Sequence, residues 1–299
     1  MKLHELARGV PGVTVEADGE AEITGIAYDS RRVKPGDMFV AVEGLNSDGH
    51  AFAVDALARG AAAVAIDRDV ALPPGTPLLR MPSTRIGLAE LAAEFYGRPS
   101  RRLKVAGITG TDGKTTTTHM AEHVLQASGV VAGAMSTVSF TSGGGEVDNL
   151  SGQTTMEAPE VQAWLARMVE AGVAYAVIET TSHALVQERV RACDFDVAAF
   201  TNVGHDHLDY HATWDDYLEA KARLIDLTAN ATDKGTEKTA VLNRDDASFE
   251  RLEVRVNVGQ HEISHAVRLF SYESSQSTNC STSASTLARP ASSRTCACW

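Results

Sequence analysis

From Leu103 onward the chain alternates short runs that are apolar throughout with longer amphipathic ones, and this limits its fold more than any other feature. "LKVAGI", "VAYAVIE" and "DVAAFTN" read as strands, and their unbroken apolar character means that both faces are buried. "MEAPEVQAWLARMVEAG" places Val161, Trp164, Leu165, Met168 and Val169 at helical spacing, with Pro159 in the first turn and Gly172 at the end. Another helix is expected from about Lys114 to Ser128, stopped by Gly129. Strands buried on both faces and separated by helices predict an α/β fold with a P-loop-type, mostly parallel sheet. In such sheets ligands bind beyond the carboxyl ends of the strands. The stretch from Gly110 to Thr115, Glu179 and Asn202 all stand just past expected strand ends.

The first hundred residues read as a smaller mixed α/β domain. "AEITGIAYDS" and "GDMFVAVEG" suggest strands, "FAVDALARGAAAVAID" a helix closed by Gly60 and then a strand, and "TRIGLAELAAEFYG" a helix ending near Gly97. "RPSRRLK" follows as a short basic linker. The expected boundaries are therefore 1–99, 100–268 and a tail over 269–299. Serine, threonine and cysteine dominate that tail, which has too little apolar surface to offset its ordering entropy and is expected to be disordered.

Three stretches carry chemistry. "GITGTDGKT" lies between a strand and a helix, where backbone N–H groups can surround a polyphosphate and the helix N-terminus adds partial positive charge. Its glycines do not follow the common G-x-x-x-x-G-K-[ST] spacing, since Ile108 occupies the position of the first one. Lys114 can reach terminal phosphates and the Thr115 hydroxyl can ligate Mg²⁺. Asp112 is unfavourable beside phosphates unless its side chain points away or meets a metal. The second stretch, "IETTSHALVQERV", presents Glu179 at a strand end, where a magnesium ligand would be expected; alone, such a glutamate reads as solvated. In the third, "TNVGHDHLDYH", His205, His207 and His211 stand among aspartates. Zinc is one possibility, although neither thiolates nor an HExxH helix accompany them. One histidine and one glutamate beside an ATP loop suit Mg²⁺ or Mn²⁺. Lys221 in "YLEAKARLIDL" reads by pattern as an exposed helix lysine.

Composition narrows the function classes. A formal net charge of −12 argues against nucleic-acid binding, which needs a basic face. No run resembles a signal peptide or approaches the roughly 20 apolar residues that span a bilayer, so no membrane partner is expected. Of four cysteines only Cys193 lies in the patterned region, which fits a cytoplasmic protein without a disulfide framework.

Together these stretches resemble the Mur ligase family, whose ATP loop has the form G-x-x-G-T-[NKD]-G-K-[ST], as in "GITGTDGKT". The likeness is nearest to the family's tripeptide-synthetase branch. It extends through "DSRRVKPGDMFVAVEGLNSDG", "QTTMEAPEVQ", "ETTSHALVQERV", "AFTNVGHDHLDYHATWDDYLEAKARL" and "AVLNRDD", to about residue 260. The resemblance implies an ATP-dependent, ADP-forming ligase of peptidoglycan synthesis. It would add a diamino acid, meso-diaminopimelate or L-lysine, to UDP-MurNAc-L-Ala-D-Glu through an acyl phosphate.

By the same resemblance Tyr28, Ser30, Leu45, Asn46 and Ser47 would hold the uridine diphosphate end. Gln153, Thr154, Thr155, Thr181, Gln187 and Arg189 would hold the muramoyl-peptide part. Gly110, Thr111, Asp112, Gly113, Lys114, Thr115, Thr116 and Asn202 would bind ATP. Thr115, Glu179, His207 and a carbamylated Lys221 would hold the metal, and Lys114, Glu179, His207 and Lys221 would act in catalysis. The partners implied are small molecules bound by a monomer. "ETTSH" stands where the family usually has E-[VA]-S-S-H, and Gln153 where asparagine is common. The family's third domain, which takes the incoming amino acid, has no counterpart among these stretches. A chain that binds ATP and the UDP-linked peptide without ligating them is the alternative reading.

Overall fold

Alternate residues of the strand Asp37–Val40 pack on opposite sides of a sheet covered on both faces. Met38 and Val40 join Leu3, Leu6, Leu79, Leu88 and Leu91 on one side, while Phe39 joins Ala53, Ala56, Val64 and Ile66 on the other. The computed structural model describes residues 1–44, 47–206, 210–259 and 267–272. The chain divides into two compact units, of which unit 1 comprises Met1–Pro99, Glu157–Ala166 and Gln187–Ala192.

Unit 1 carries, in chain order, α1 (Leu3–Arg8), β1 (Thr14–Glu16), β2 (Gly25–Ala27), β3 (Asp37–Val40), α2 (Ala53–Ala58), β4 (Ala63–Ile66), β5 (Leu78–Arg80) and α3 (Thr84–Phe95). Its strands lie in the order β1-β5-β4-β3-β2, with β2 to β5 parallel and β1 antiparallel to β5. The run "AEITGIAYDS" supplies only the three residues of β2, an edge strand. The residues before it are held by other bonds, such as Thr24 N to Gly36 O at 2.9 Å.

Unit 2 carries β6 (Lys104–Thr109), α4 (Lys114–Ala127), β7 (Ala132–Met135), β8 (Ser139–Thr141), β9 (Glu146–Asp148) and α5 (Ala158–Glu170), whose residues 158–166 belong to unit 1. It continues with β10 (Tyr175–Glu179), α6 (Ser182–Val186), β11 (Val197–Phe200), α7 (Trp214–Ala229), β12 (Lys238–Asn243), α8 (Phe249–Gly259) and β13 (Val267–Tyr272). Among the described residues the sheet order is β13-β12-β11-β6-β10-β7-β8-β9. The strands from β13 to β7 are parallel, as the apolar runs require. β8 and β9 add an antiparallel hairpin at the edge, turned where Ser142 N donates to Gly145 O at 3.1 Å. β13 pairs with β12 as far as Tyr272, so residues 269–272, expected in the tail, continue the sheet. Residues 273–299 lie outside the described residues. No described helix is long and apolar enough to cross a membrane.

The order places β6 between β10 and β11. The chain fills one side of β6 with β10 and β7, then crosses to the other side for β11, β12 and β13. Such a reversal opens a crevice beyond the carboxyl ends of the strands, in this sheet those of β6, β10 and β11.

Candidate active site

The loop that leaves β6 is built around backbone that only glycine adopts easily. Gly110 has φ +150°, and a Cβ there would overlap Thr201 Oγ1 and stand 3.0 Å from the Asn202 carbonyl oxygen. Gly113, at φ +79°, is the N-cap of α4. The segment after β11 then clasps the loop. Asn202 O accepts from Thr111 N at 2.9 Å, Asn202 Oδ1 accepts from Asp112 N at 3.0 Å, and Asn202 Nδ2 donates to Asp112 O at 3.1 Å. Thr201 Oγ1 adds a bond to Asp112 O at 2.7 Å. Asp112 itself is exposed. Lys114 folds back over the loop, donating from Nζ to Thr111 O at 2.8 Å.

At the end of β10, Glu179 is 1% exposed rather than solvated. Thr115 Oγ1 lies 3.0 Å from both of its oxygens, and Oε2 also accepts from Thr137 N at 2.9 Å and Thr137 Oγ1 at 3.1 Å. The structure thus brings Thr115 and Glu179 together. A hydroxyl and a carboxylate are hard oxygen donors of the kind Mg²⁺ selects, and Mg²⁺ usually takes only one or two protein ligands beside water and phosphate. Among the described residues no three His, Cys, Asp or Glu side chains form a metal cluster. His207 lies outside the described residues.

Lys221 corrects the pattern reading most sharply: it is 1% exposed. Its Nζ donates to Gly110 O at 2.7 Å and sits 4.4 Å from the centre of the Tyr217 ring. Burial, reinforced by the Lys114 charge and opposed by Asp206, pushes its pKa down to about 7. Tyr217, one helical turn earlier on α7, also meets the loop, with its hydroxyl 3.3 Å from Thr111 Oγ1. The sequence reading did not single out Tyr217 or Thr137; the i, i+4 spacing of Tyr217 and Lys221 was the available signal for the former.

The residues expected to hold the UDP-linked peptide fall in both units. In unit 2, Thr154 Oγ1 accepts from Thr137 Oγ1 at 3.1 Å, while Gln153 is held through its carbonyl oxygen by Asn149 Nδ2 at 2.8 Å. Thr155 is buried and donates to Glu179 O at 2.8 Å, and its hydroxyl accepts from Thr181 N at 3.2 Å. In unit 1, Tyr28, Ser30, Ser47, Phe52, Arg85 and Glu157 help to line a cavity of about 630 Å³. Tyr28 donates its hydroxyl to Glu160 Oε1 at 3.0 Å. Burial and the Glu160 carboxylate push the phenol pKa up, and burial also raises the Glu160 carboxyl. Arg189 Nη2 donates to Gln187 Oε1 at 2.7 Å. Leu45 and Asn46 lie outside the described residues.

Comparison with known proteins gives a consistent result. Residues 108–286 match the family described as "Mur ligase middle domain", and residues 22–96 match "Mur ligase family, catalytic domain". The chain is 45% identical to a UDP-N-acetylmuramyl-tripeptide synthetase of Roseiflexus sp. (strain RS-1), over 89% of this chain and 54% of the relative. It is 40% identical to a UDP-N-acetylmuramoyl-L-alanyl-D-glutamate–2,6-diaminopimelate ligase of Geobacter sulfurreducens, over 84% of this chain and 49% of that one. A solved structure of a UDP-N-acetylmuramoyl-L-alanyl-D-glutamate–2,6-diaminopimelate ligase superposes with a TM-score of 0.75 at 27% identity, over 93% of this chain and 53% of that one. The chain spans about half the length of the curated relatives it matches.

Proposed function

The chain belongs to the Mur ligase family, and from that premise we propose that it supplies the UDP-substrate and ATP units of an ADP-forming amide ligase. The reaction joins a diamino acid, meso-diaminopimelate or L-lysine, to UDP-MurNAc-L-Ala-D-Glu in peptidoglycan synthesis, with the chain acting as a cytoplasmic monomer on small-molecule partners. The supporting observation is the convergence of the Gly110–Lys114 loop, the Thr115–Glu179 pair and buried Lys221 beyond the ends of β6 and β10.

Each group has a task in that chemistry. The loop amides and the first turn of α4 cradle the β- and γ-phosphates, and Asn202 keeps the loop in shape for them. Lys114 leaves its carbonyl partner for the γ-phosphate, where it offsets the charge that develops as the substrate carboxylate attacks. Thr115 and Glu179 would hold Mg²⁺, with His207 and carbamylated Lys221 as the further ligands, and the ion would neutralise phosphate charge. A Lys221 pKa near 7 leaves the amine largely neutral at mildly alkaline pH, as carbamylation requires. The lone pair of the neutral Nζ would bond to the carbon of CO₂ as one C=O π pair moves onto oxygen, and loss of a proton from nitrogen to solvent would leave a carbamate anion. Thr154, Thr155, Thr181, Gln187 and Arg189 orient the peptide carboxylate. Attack on ATP yields an acyl phosphate and ADP, and the amine of the incoming amino acid displaces phosphate to form the amide.

The test incubates the chain with UDP-MurNAc-L-Ala-D-Glu, ATP, Mg²⁺ and either diamino acid, following phosphate release and the mass of the muropeptide. The expected outcome is one phosphate and one ADP for each tripeptide formed. Binding of both substrates without product establishes the narrower reading, a chain that holds them but does not ligate. Failure to bind either ligand overturns both readings.

A further inference from the structure

We propose that Glu157 is a positioning residue of the unit 1 site, holding the guanidiniums of Arg85 and Arg189 in the orientation in which they receive an anionic ligand. The inference rests on the functional reading above, which makes Arg189 a substrate contact; Glu157 belongs to none of the expected site residues.

Glu157 stands immediately before α5, and its carbonyl oxygen accepts the first helical bond, from Val161 N at 3.1 Å. Its backbone is therefore fixed by the start of the helix. The side chain turns into unit 1 and is 8% exposed. One oxygen, Oε1, lies 2.9 Å from Arg189 Nε, and the other accepts from Arg85 Nη1 at 3.3 Å. Each guanidinium has a second anchor: Arg189 Nη2 donates to Gln187 Oε1 at 2.7 Å, and Arg85 Nη2 donates to Glu43 O at 3.0 Å. Arg85, hydrogen-bonded at two points, has its plane and direction set before any ligand arrives, and Arg189 is held by its hydrogen bond to Gln187 and its ion pair with Glu157. Arg85 and Glu157 themselves line the unit 1 cavity, together with the charged side chains of Asp29, Arg31, Asp55 and Arg59. Three residues further along, in the first turn of α5, Glu160 holds the Tyr28 hydroxyl, so the start of the helix brings two acidic anchors to unit 1. Without Glu157 the guanidiniums would repel one another and lose the anchor they share.

Electrostatics and positioning predict opposite signs for the same substitution. Replacing Glu157 by glutamine removes a negative charge beside an anion site, so electrostatics alone would tighten anion binding. A positioning role requires the reverse. Titration calorimetry on the chain with UDP-MurNAc-L-Ala-D-Glu, and with UDP as second probe, should show Glu157→Gln weakening peptide binding by about tenfold to a hundredfold. Glu157→Asp keeps the charge but is one methylene too short to bridge both guanidiniums, and it should weaken binding as well. Unchanged or tighter binding by a folded Glu157→Gln or Glu157→Asp variant, even one with a lowered melting temperature, overturns the inference alone. Absence of binding by the wild-type chain overturns the functional reading and this inference with it.

Discussion

Burial of Lys221 next to the Lys114 charge favours the neutral amine, and this ties one residue to the pH dependence of the whole fold. The folded pKa, about 7, is below the ordinary lysine value of 10.5. Between those two pH values the unfolded chain binds the extra proton, so metal-free stability rises as pH increases through this window. Below about pH 7 both states are protonated and the burial cost is borne in full. Denaturation midpoints measured from pH 7 to 9.5 should climb in the wild type, and Lys221→Met should flatten the climb; equal slopes would refute the assignment. Asn202 offers a second residue-scale test. Its side chain makes two hydrogen bonds to Asp112 backbone atoms, each worth about 1 kcal/mol. Asn202→Ala should therefore weaken ATP binding by roughly ten- to thirtyfold, while leaving the affinity for UDP unchanged. The two residues differ in how legible they were. Asn202 stood at a strand end where ligands bind, whereas Lys221 occupies a helix whose polar pattern conceals that Tyr217 and Gly110 enclose its amine.

At the scale of elements, unbroken apolar runs made β6, β10 and β11 readable, because a strand buried on both faces has no alternation to imitate a surface strand. The Gly-Lys-Thr turn between β6 and α4 was equally readable, since φ above zero at Gly110 and Gly113 leaves glycine as the easy residue. The β8–β9 hairpin was not foreseen: β9 is exposed throughout and carries no core pattern. Charge pairs between distant segments were also invisible, as sequence spacing says nothing about which carboxylate meets which cation. The clearest case lies at the amino ends of the strands, at the opposite end from the Gly110–Thr116 loop. There Asp196, 1% exposed, meets Lys234 Nζ at 2.5 Å and Lys238 Nζ at 2.9 Å, and accepts from Val105 N at 2.8 Å. Removing one member of a buried ion pair leaves the other charged and uncompensated. Asp196→Ala should thus cost about 3–5 kcal/mol in chemical denaturation, with ATP affinity retained wherever the variant is folded. A loss below about 1 kcal/mol would mean that solvent reaches the two lysines.

For the molecule as a whole, the expected ligand contacts divide between units that each have their own sheet and core. Tyr28, Ser30 and Ser47, proposed for the uridine end, belong to unit 1, and the Gly110–Thr116 loop, proposed for ATP, belongs to unit 2. A ligand that binds only the folded state stabilises it by an amount set by its concentration relative to Kd, about 2.7 kcal/mol at a hundredfold excess. Each ligand should accordingly protect its own unit first. Hydrogen exchange with UDP should slow in the segments around residues 28–31 and 47–52. With ATP and Mg²⁺ it should slow in residues 107–117 and 201–204, because the Asn202 clasp joins those two segments. If the units bind independently, both ligands together should give the sum of the separate protections. Protection by UDP confined to the β6–α4 loop would contradict the assignment of the uridine end to unit 1. Protection with both ligands that exceeds the sum would mean that the units report to each other.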